Sequence, residues 1–68
     1  MTASAAAELS ATLEHVSRYR ERVAVIARSL SAPDAGDHHD VVAALFEAER
    51  SLRTAARAVE RATKMLGR

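Results

Sequence analysis

Two groups of side chains in this sequence could support chemistry, and the first lies near the middle of the chain. Asp37, His38, His39 and Asp40 are consecutive, and imidazoles and carboxylates are good ligands for zinc, nickel or manganese. Neighbouring histidines on a helix point about 100° apart, however, which makes it hard for both to bind one ion. The sequence also has no cysteine and no H-E-x-x-H motif. We therefore predict a solvated helix start here and assign no metal ligand, while a metal-binding bundle stays an alternative.

The second group is a basic stripe in the C-terminal part of the chain. Its members recur every three or four residues: Arg50, Arg53, Arg57, Arg61 and Lys64. Such a stripe could contact nucleic-acid phosphates. The formal net charge is only +1, however, and the aromatic residues that could stack on bases are limited to Tyr19 and Phe46. A solvated helix face explains the stripe more simply, and nucleic-acid binding is kept as an alternative.

Catalysis has little support in the sequence. No nucleophile, base and orienting acid can be assigned with any specificity, and Gly36 and Gly67 stand alone rather than in a phosphate-binding loop. We therefore predict a protein that is not an enzyme and that has no cofactor. An arginine such as Arg20, beside Tyr19, could bind an anionic small molecule, which is a further alternative.

The elements that position these groups follow from size and composition. A chain of 68 residues buries only a modest core, and small domains gain stability from disulfides, metals or oligomerisation. Without cysteine, oligomerisation is the leading candidate. No apolar run approaches the roughly 20 residues of a membrane span, and the first residues lack the basic and apolar regions of a secretory signal. We expect a soluble, cytoplasmic protein with no membrane partner.

Hydrophobic spacing and turn residues predict one domain, residues 1–68, made of two helices. The first helix should begin at an N-cap at Ser4 and cover about 4–31, because Pro33 disfavours helix at the residue before it. Residues 32–37 combine Pro, Gly and Asp, which is turn chemistry. The second helix should cover about 38–66, with Asp37 as its N-cap and Gly67 after its last residue.

Each predicted helix carries a heptad seam, the spacing that is typical of coiled coils. In the first helix the seam residues are Leu9, Thr12, Val16, Tyr19, Val23, Ile26 and Leu30. In the second they are Val41, Leu45, Ala48, Leu52, Ala55, Val59, Ala62 and Leu66. A bulky residue at one of these alanines, as in Ala55→Leu, should cost about 1 to 3 kcal/mol through overpacking.

Charge favours an antiparallel hairpin. Residues 16–31 carry a net charge of +3 and residues 32–49 one of −5, while residues 1–15 carry −2 and residues 50–68 carry +5. An antiparallel arrangement places opposite charges side by side, whereas a parallel one brings like charges together more often.

Several apolar residues lie outside both seams, and a wide apolar stripe is typical of a helix that contacts two neighbours. We therefore predict an all-α antiparallel two-helix hairpin, resembling a coiled coil, that forms a homodimer as a four-helix bundle. An unlike protein partner is the alternative, and the predicted role is protein–protein interaction or regulation. The residues expected at the self-association interface are Leu13, Val42, Phe46 and Met65.

Overall fold

The computed structural model describes residues 2–67, and it describes the side chains of residues 4–67. The first helix, α1, is Thr2–Leu30, and the second, α2, is His39–Leu66. The two helices pack against each other as an antiparallel hairpin, and no strand occurs within residues 2–67. The all-α hairpin expected from the sequence is therefore confirmed. Neither helix in this part of the chain combines the length and apolar character that a membrane span requires.

The start and end of α1 show how the sequence sets its length. The helix already includes Thr2, so the predicted N-cap at Ser4 is wrong. At the other end, the backbone N–H of Ser31 donates to the carbonyl of Ala27 at 3.1 Å, and the Ser31 hydroxyl donates to the same oxygen at 2.8 Å. The helix stops there because the ring of Pro33 disfavours a helical conformation at Ala32.

The turn between the helices depends on one glycine. Gly36 has a φ of +96°, which side chains with a Cβ atom rarely adopt. The N-cap of α2 is His38, with no hydrogen bond from its side chain to the helix, so Asp37 is not the cap that we predicted. Asp37 acts one position earlier, where its Oδ1 accepts a hydrogen bond from the backbone N–H of His39 at 3.3 Å.

The helices contact each other along a seam in which every second residue is the predicted one. Each residue between these lies one position after the predicted residue. On α1 the seam residues, all half-buried or buried, are Leu9, Leu13, Val16, Arg20, Val23, Ala27 and Leu30. On α2 they are Val42, Leu45, Glu49, Leu52, Ala56, Val59 and Thr63. The leucine and valine positions shared by both versions are correct. The predicted positions Thr12, Tyr19, Ile26, Val41, Ala48, Ala55 and Leu66 are exposed instead.

This shift changes which alanine of α2 packs against α1. Ala56, which is 7% exposed, faces α1, whereas Ala55 is exposed. Ala55→Leu therefore does not overpack the hairpin, and the predicted cost was assigned to the wrong alanine. Together with Ala27, Ala56 is one of two buried residues among residues 4–67.

Three observations fix the register of the hairpin. The Nε of Arg20 lies 3.6 Å from the Oε2 of Glu49. Leu13 and Ala56 line one groove, and Leu30 and Val42 line a hollow beside the turn. In all three cases, residues at the same height along the hairpin have numbers that add to about 70.

The hairpin is long and leaves much of its surface in contact with solvent. Its Cα atoms extend over 51 × 14 × 11 Å, and the accessible surface is 5254 Å². A compact monomer of the same 7.3 kDa mass exposes about 4,200 Å². The isolated hairpin therefore exposes about a quarter more surface than its mass requires.

Candidate functional site

The most distinctive surface of the molecule is an exposed, uncharged face along its whole length, which we call the apolar face. Its α1 residues are Thr12, Tyr19 and Ile26, and its α2 residues are Val41, Ala44, Ala48, Ser51, Ala55, Ala58, Ala62, Met65 and Leu66, all of them exposed except the half-buried Ala62. The large members are well exposed: Tyr19 is 58%, Ile26 46%, Val41 49% and Met65 61% exposed. No charged residue interrupts the α2 part, which keeps a heptad spacing from Val41 to Met65.

The α1 and α2 parts lie on the same side of the hairpin. The residues that directly follow a seam residue, Ser17 on α1 and Arg53 and Glu60 on α2, line one common groove. The residues that directly precede a seam residue lie on the other flank of each helix. Tyr19 and Ile26 precede seam residues of α1, and Ala55 precedes one of α2. They therefore share the opposite side of the molecule.

The apolar face is bordered by charge at its two outer edges. On the α1 edge, Glu8 and Arg22 are exposed, with His15 between them. On the α2 edge, Glu47 and Arg61 are exposed. An apolar centre with a charged rim is the anatomy of a protein–protein interface.

The other side of the hairpin, which we call the charged side, carries a network of ion pairs. Glu49 lies in the seam and its side chain is only 12% exposed. Nη2 of Arg53 donates to both carboxylate oxygens of Glu49, at 2.9 and 2.8 Å, and Arg20 approaches the same carboxylate from α1. Because both arginines contact it, the negative charge of Glu49 is compensated where the helices meet.

All five residues of the basic stripe predicted from the sequence are exposed. Arg53 is held by Glu49, and Arg57 lines a groove of about 250 Å³ together with Glu60 and Arg20. Acidic groups thus lie among the basic ones, which reduces the local positive potential. Nucleic-acid binding through Arg50, Arg53, Arg57, Arg61 and Lys64 stays a prediction.

The histidines and aspartates near the turn point into an open depression of about 420 Å³. Nε2 of His38 lies 2.9 Å from the carbonyl oxygen of Ala35 and donates to it as the protonated ring nitrogen. Nε2 of His39 lies 3.6 Å from Oδ1 of Asp37. Within the described side chains, no three His, Cys, Asp or Glu residues form a group that could hold a metal ion. The metal-binding alternative gains no geometric support.

The four residues predicted at the self-association interface do not form one surface. Leu13 and Val42 are half-buried at seam positions, where they pack between α1 and α2 of the same chain. Phe46, 41% exposed, directly follows the seam residue Leu45 and so lies on the charged side. Only Met65 lies on the apolar face.

Sequence reasoning missed two features of this site. Tyr19 and Ile26 were assigned to the hairpin seam, although they are exposed on the apolar face. Arg20 and Glu49 were not assigned to the seam, yet they contact each other within it. Their opposite charges, at positions with seam spacing on both helices, were the signal that could have revealed the true register.

Comparisons with known proteins give no relative of this chain: no family model matches it, and neither a curated protein nor a solved structure is significantly similar to it.

Proposed function

We propose that this protein is a small, non-enzymatic helical interaction or regulatory module that self-associates, with two hairpins packing face to face as a four-helix bundle. The observation that carries this proposal is the apolar face, which runs the length of a hairpin with only two buried residues among residues 4–67. Large exposed apolar patches with a polar rim are typical of protein interaction sites.

The size of the apolar face fits a second copy of the same chain. A face of 51 by 14 Å covers roughly 700 Å² per protomer, or about 1,400 Å² for two, which lies in the range of specific, stable interfaces. The isolated hairpin exposes about 1,100 Å² beyond the surface of a compact monomer, and covering this face would remove about two thirds of that excess. A homodimer would therefore supply most of the burial that the single hairpin lacks.

The test is the molar mass in solution, measured by light scattering over a range of micromolar concentrations. We expect a species of twice the 7.3 kDa chain mass that dissociates on dilution. Ala55→Glu places a carboxylate on the apolar face, where dimerisation would bury it without a partner, so we expect affinity to fall at least about tenfold.

Ala43→Glu is the matched control, because Ala43 is exposed on the side of α2 that faces away from α1 and the change of residue is the same. We expect this variant to dimerise like the original protein. A hairpin that is helical by circular dichroism but monomeric throughout would overturn the proposal. The apolar face would then be available to an unlike protein. Equal effects of the two variants would also contradict it.

A further inference from the structure

We infer that the two hairpins are related by a two-fold axis parallel to their length, so that α1 of each chain packs on α2 of the other. This inference rests on the proposed self-association and adds its geometry. It identifies the occupant of the apolar face as the apolar face of a second copy, turned by half a revolution about the long axis.

The register of the two chains determines which residues can face each other in this dimer. Rotation about an axis parallel to the helices leaves the height of every residue unchanged. Residues that face each other between the two chains must therefore also have numbers that add to about 70, as they do within one hairpin, where Arg20 lies beside Glu49.

In this register, side-chain sizes are complementary at three heights along the face. Thr12 lies at the height of Ala58, Tyr19 at that of Ser51, and Ile26 at that of Ala44. Each larger residue of α1 thus faces a small residue of α2, and the neighbouring alanines leave space around it. Large side chains that fit between small ones are how well-packed helix interfaces fill space.

Charges at the rim are also complementary in this register. Arg22, at the α1 edge, has the height of Glu47, at the α2 edge, and Glu8 has the height of Arg61. Within one chain these edges lie on opposite sides of the hairpin, so the partners cannot meet. Across the two-fold axis the edges come together, and each pair occurs twice. All four residues are exposed in the single hairpin.

An alternative dimer, with α2 antiparallel to α2 of the second copy, fits less well. It would place alanine on alanine along α2 and would bring Tyr19 to the height of His15 of the second copy. Its rim would bring Glu47 close to Arg61, and Glu8 within about one helical turn of Arg22. The two arrangements therefore predict different partners for Arg22, and this difference can be measured.

A charge exchange distinguishes them. We expect Arg22→Glu to weaken dimerisation about tenfold, because it replaces two attractive contacts with Glu47 of the second copy by two repulsive ones. Glu47→Arg should do the same. The variant with both changes restores opposite charges in the proposed dimer and should return to within about threefold of the original affinity. In the alternative dimer it would be weaker than either single variant.

Cysteine linking gives an independent readout, because the chain has no cysteine of its own. A mixture of Thr12→Cys and Ala58→Cys chains should form a covalent heterodimer on mild oxidation, while neither variant alone does. The control mixture, Ala48→Cys with Ala58→Cys, links only in the alternative dimer. If the original protein is dimeric but the first mixture does not link and the charge exchange fails to restore affinity, this geometry is wrong although self-association stands. A monomeric original protein would overturn both proposals.

Discussion

Glu49 shows how one side chain can tie the two helices together. Its carboxylate lies in the seam, with Arg53 of α2 and Arg20 of α1 both approaching it. A charge that is mostly removed from water is costly unless other charges and hydrogen bonds compensate it. At this position the compensation comes from both helices, so the pair also favours the observed register over a slipped one.

Glu49→Ala should lower the free energy of unfolding by about 1 to 2 kcal/mol, because it leaves two arginines without their shared carboxylate. The measurement is a urea melt followed by circular dichroism at a fixed protein concentration. Glu14→Ala is the control, since Glu14 is exposed on α1, and it should change stability by less than about 0.5 kcal/mol.

A second variant separates charge from volume. Glu49→Leu fills the same position with an apolar side chain. We expect its free energy of unfolding to exceed that of Glu49→Ala by about 1 kcal/mol, because apolar burial replaces part of the lost interaction. If Glu49→Ala and Glu14→Ala melt at the same urea concentration, the ion pair does not contribute to the hairpin.

At the scale of the helix, each element carries two apolar stripes that share an edge. On α2, Leu45, Leu52 and Val59 belong to the seam, whereas the alanines just before Glu49 and Ala56 belong to the apolar face. The two stripes lie about 100° apart around the helix, close to the right angle between neighbours in a four-helix bundle. A helix of this kind is built to contact two partners.

The identity of the true seam alanine can be checked with one substitution. Ala56→Leu should lower the free energy of unfolding by about 1 to 3 kcal/mol. Ala56 is buried against α1, and the added atoms would push the two helices apart. Ala43→Leu adds the same atoms at an exposed position of the same helix and should be close to neutral. Urea melts of both variants decide the matter, and equal midpoints would show that the seam is wrongly placed.

The sequence predicted the helices, the turn and the antiparallel direction, because these depend on local residues such as Pro33 and on the alternation of charge along the chain. It also predicted half of each seam, since Leu45, Leu52 and Val59 belong to any stripe that can be drawn through α2. The other half could not be chosen from spacing alone. Ala55 and Ala56 are equivalent by size, and it is the burial of Ala56 and the contact between Arg20 and Glu49 that show which of them faces α1.

At the scale of the whole molecule, the ratio of surface to mass is the dominant property. The hairpin hides about half of the surface that its unfolded chain would expose, against about 60% for a typical domain of this size. Such a chain is expected to be marginally stable alone, and the proposed association through the apolar face would add burial without adding residues.

Stability should therefore depend on protein concentration. If folding and dimerisation are coupled, the thermal midpoint measured by circular dichroism should rise by about 5 °C for each tenfold increase in concentration. Ala55→Glu should show a lower midpoint with a weaker dependence. A midpoint for the original protein that is the same at all concentrations would indicate that the hairpin unfolds as a monomer.

The short turn around Gly36 also sets the order in which the fold can form. Bringing Leu30 to Val42 beside the turn closes a loop of only about a dozen residues, whereas the ends of the helices are separated by most of the chain. The entropy lost on loop closure grows with loop length, and short loops close in well under a microsecond. We expect the two helices to zip together from the turn towards their free ends. The apolar face combines residues of both helices. It would therefore be complete, and able to bind a second copy, only after most contacts between α1 and α2 had formed.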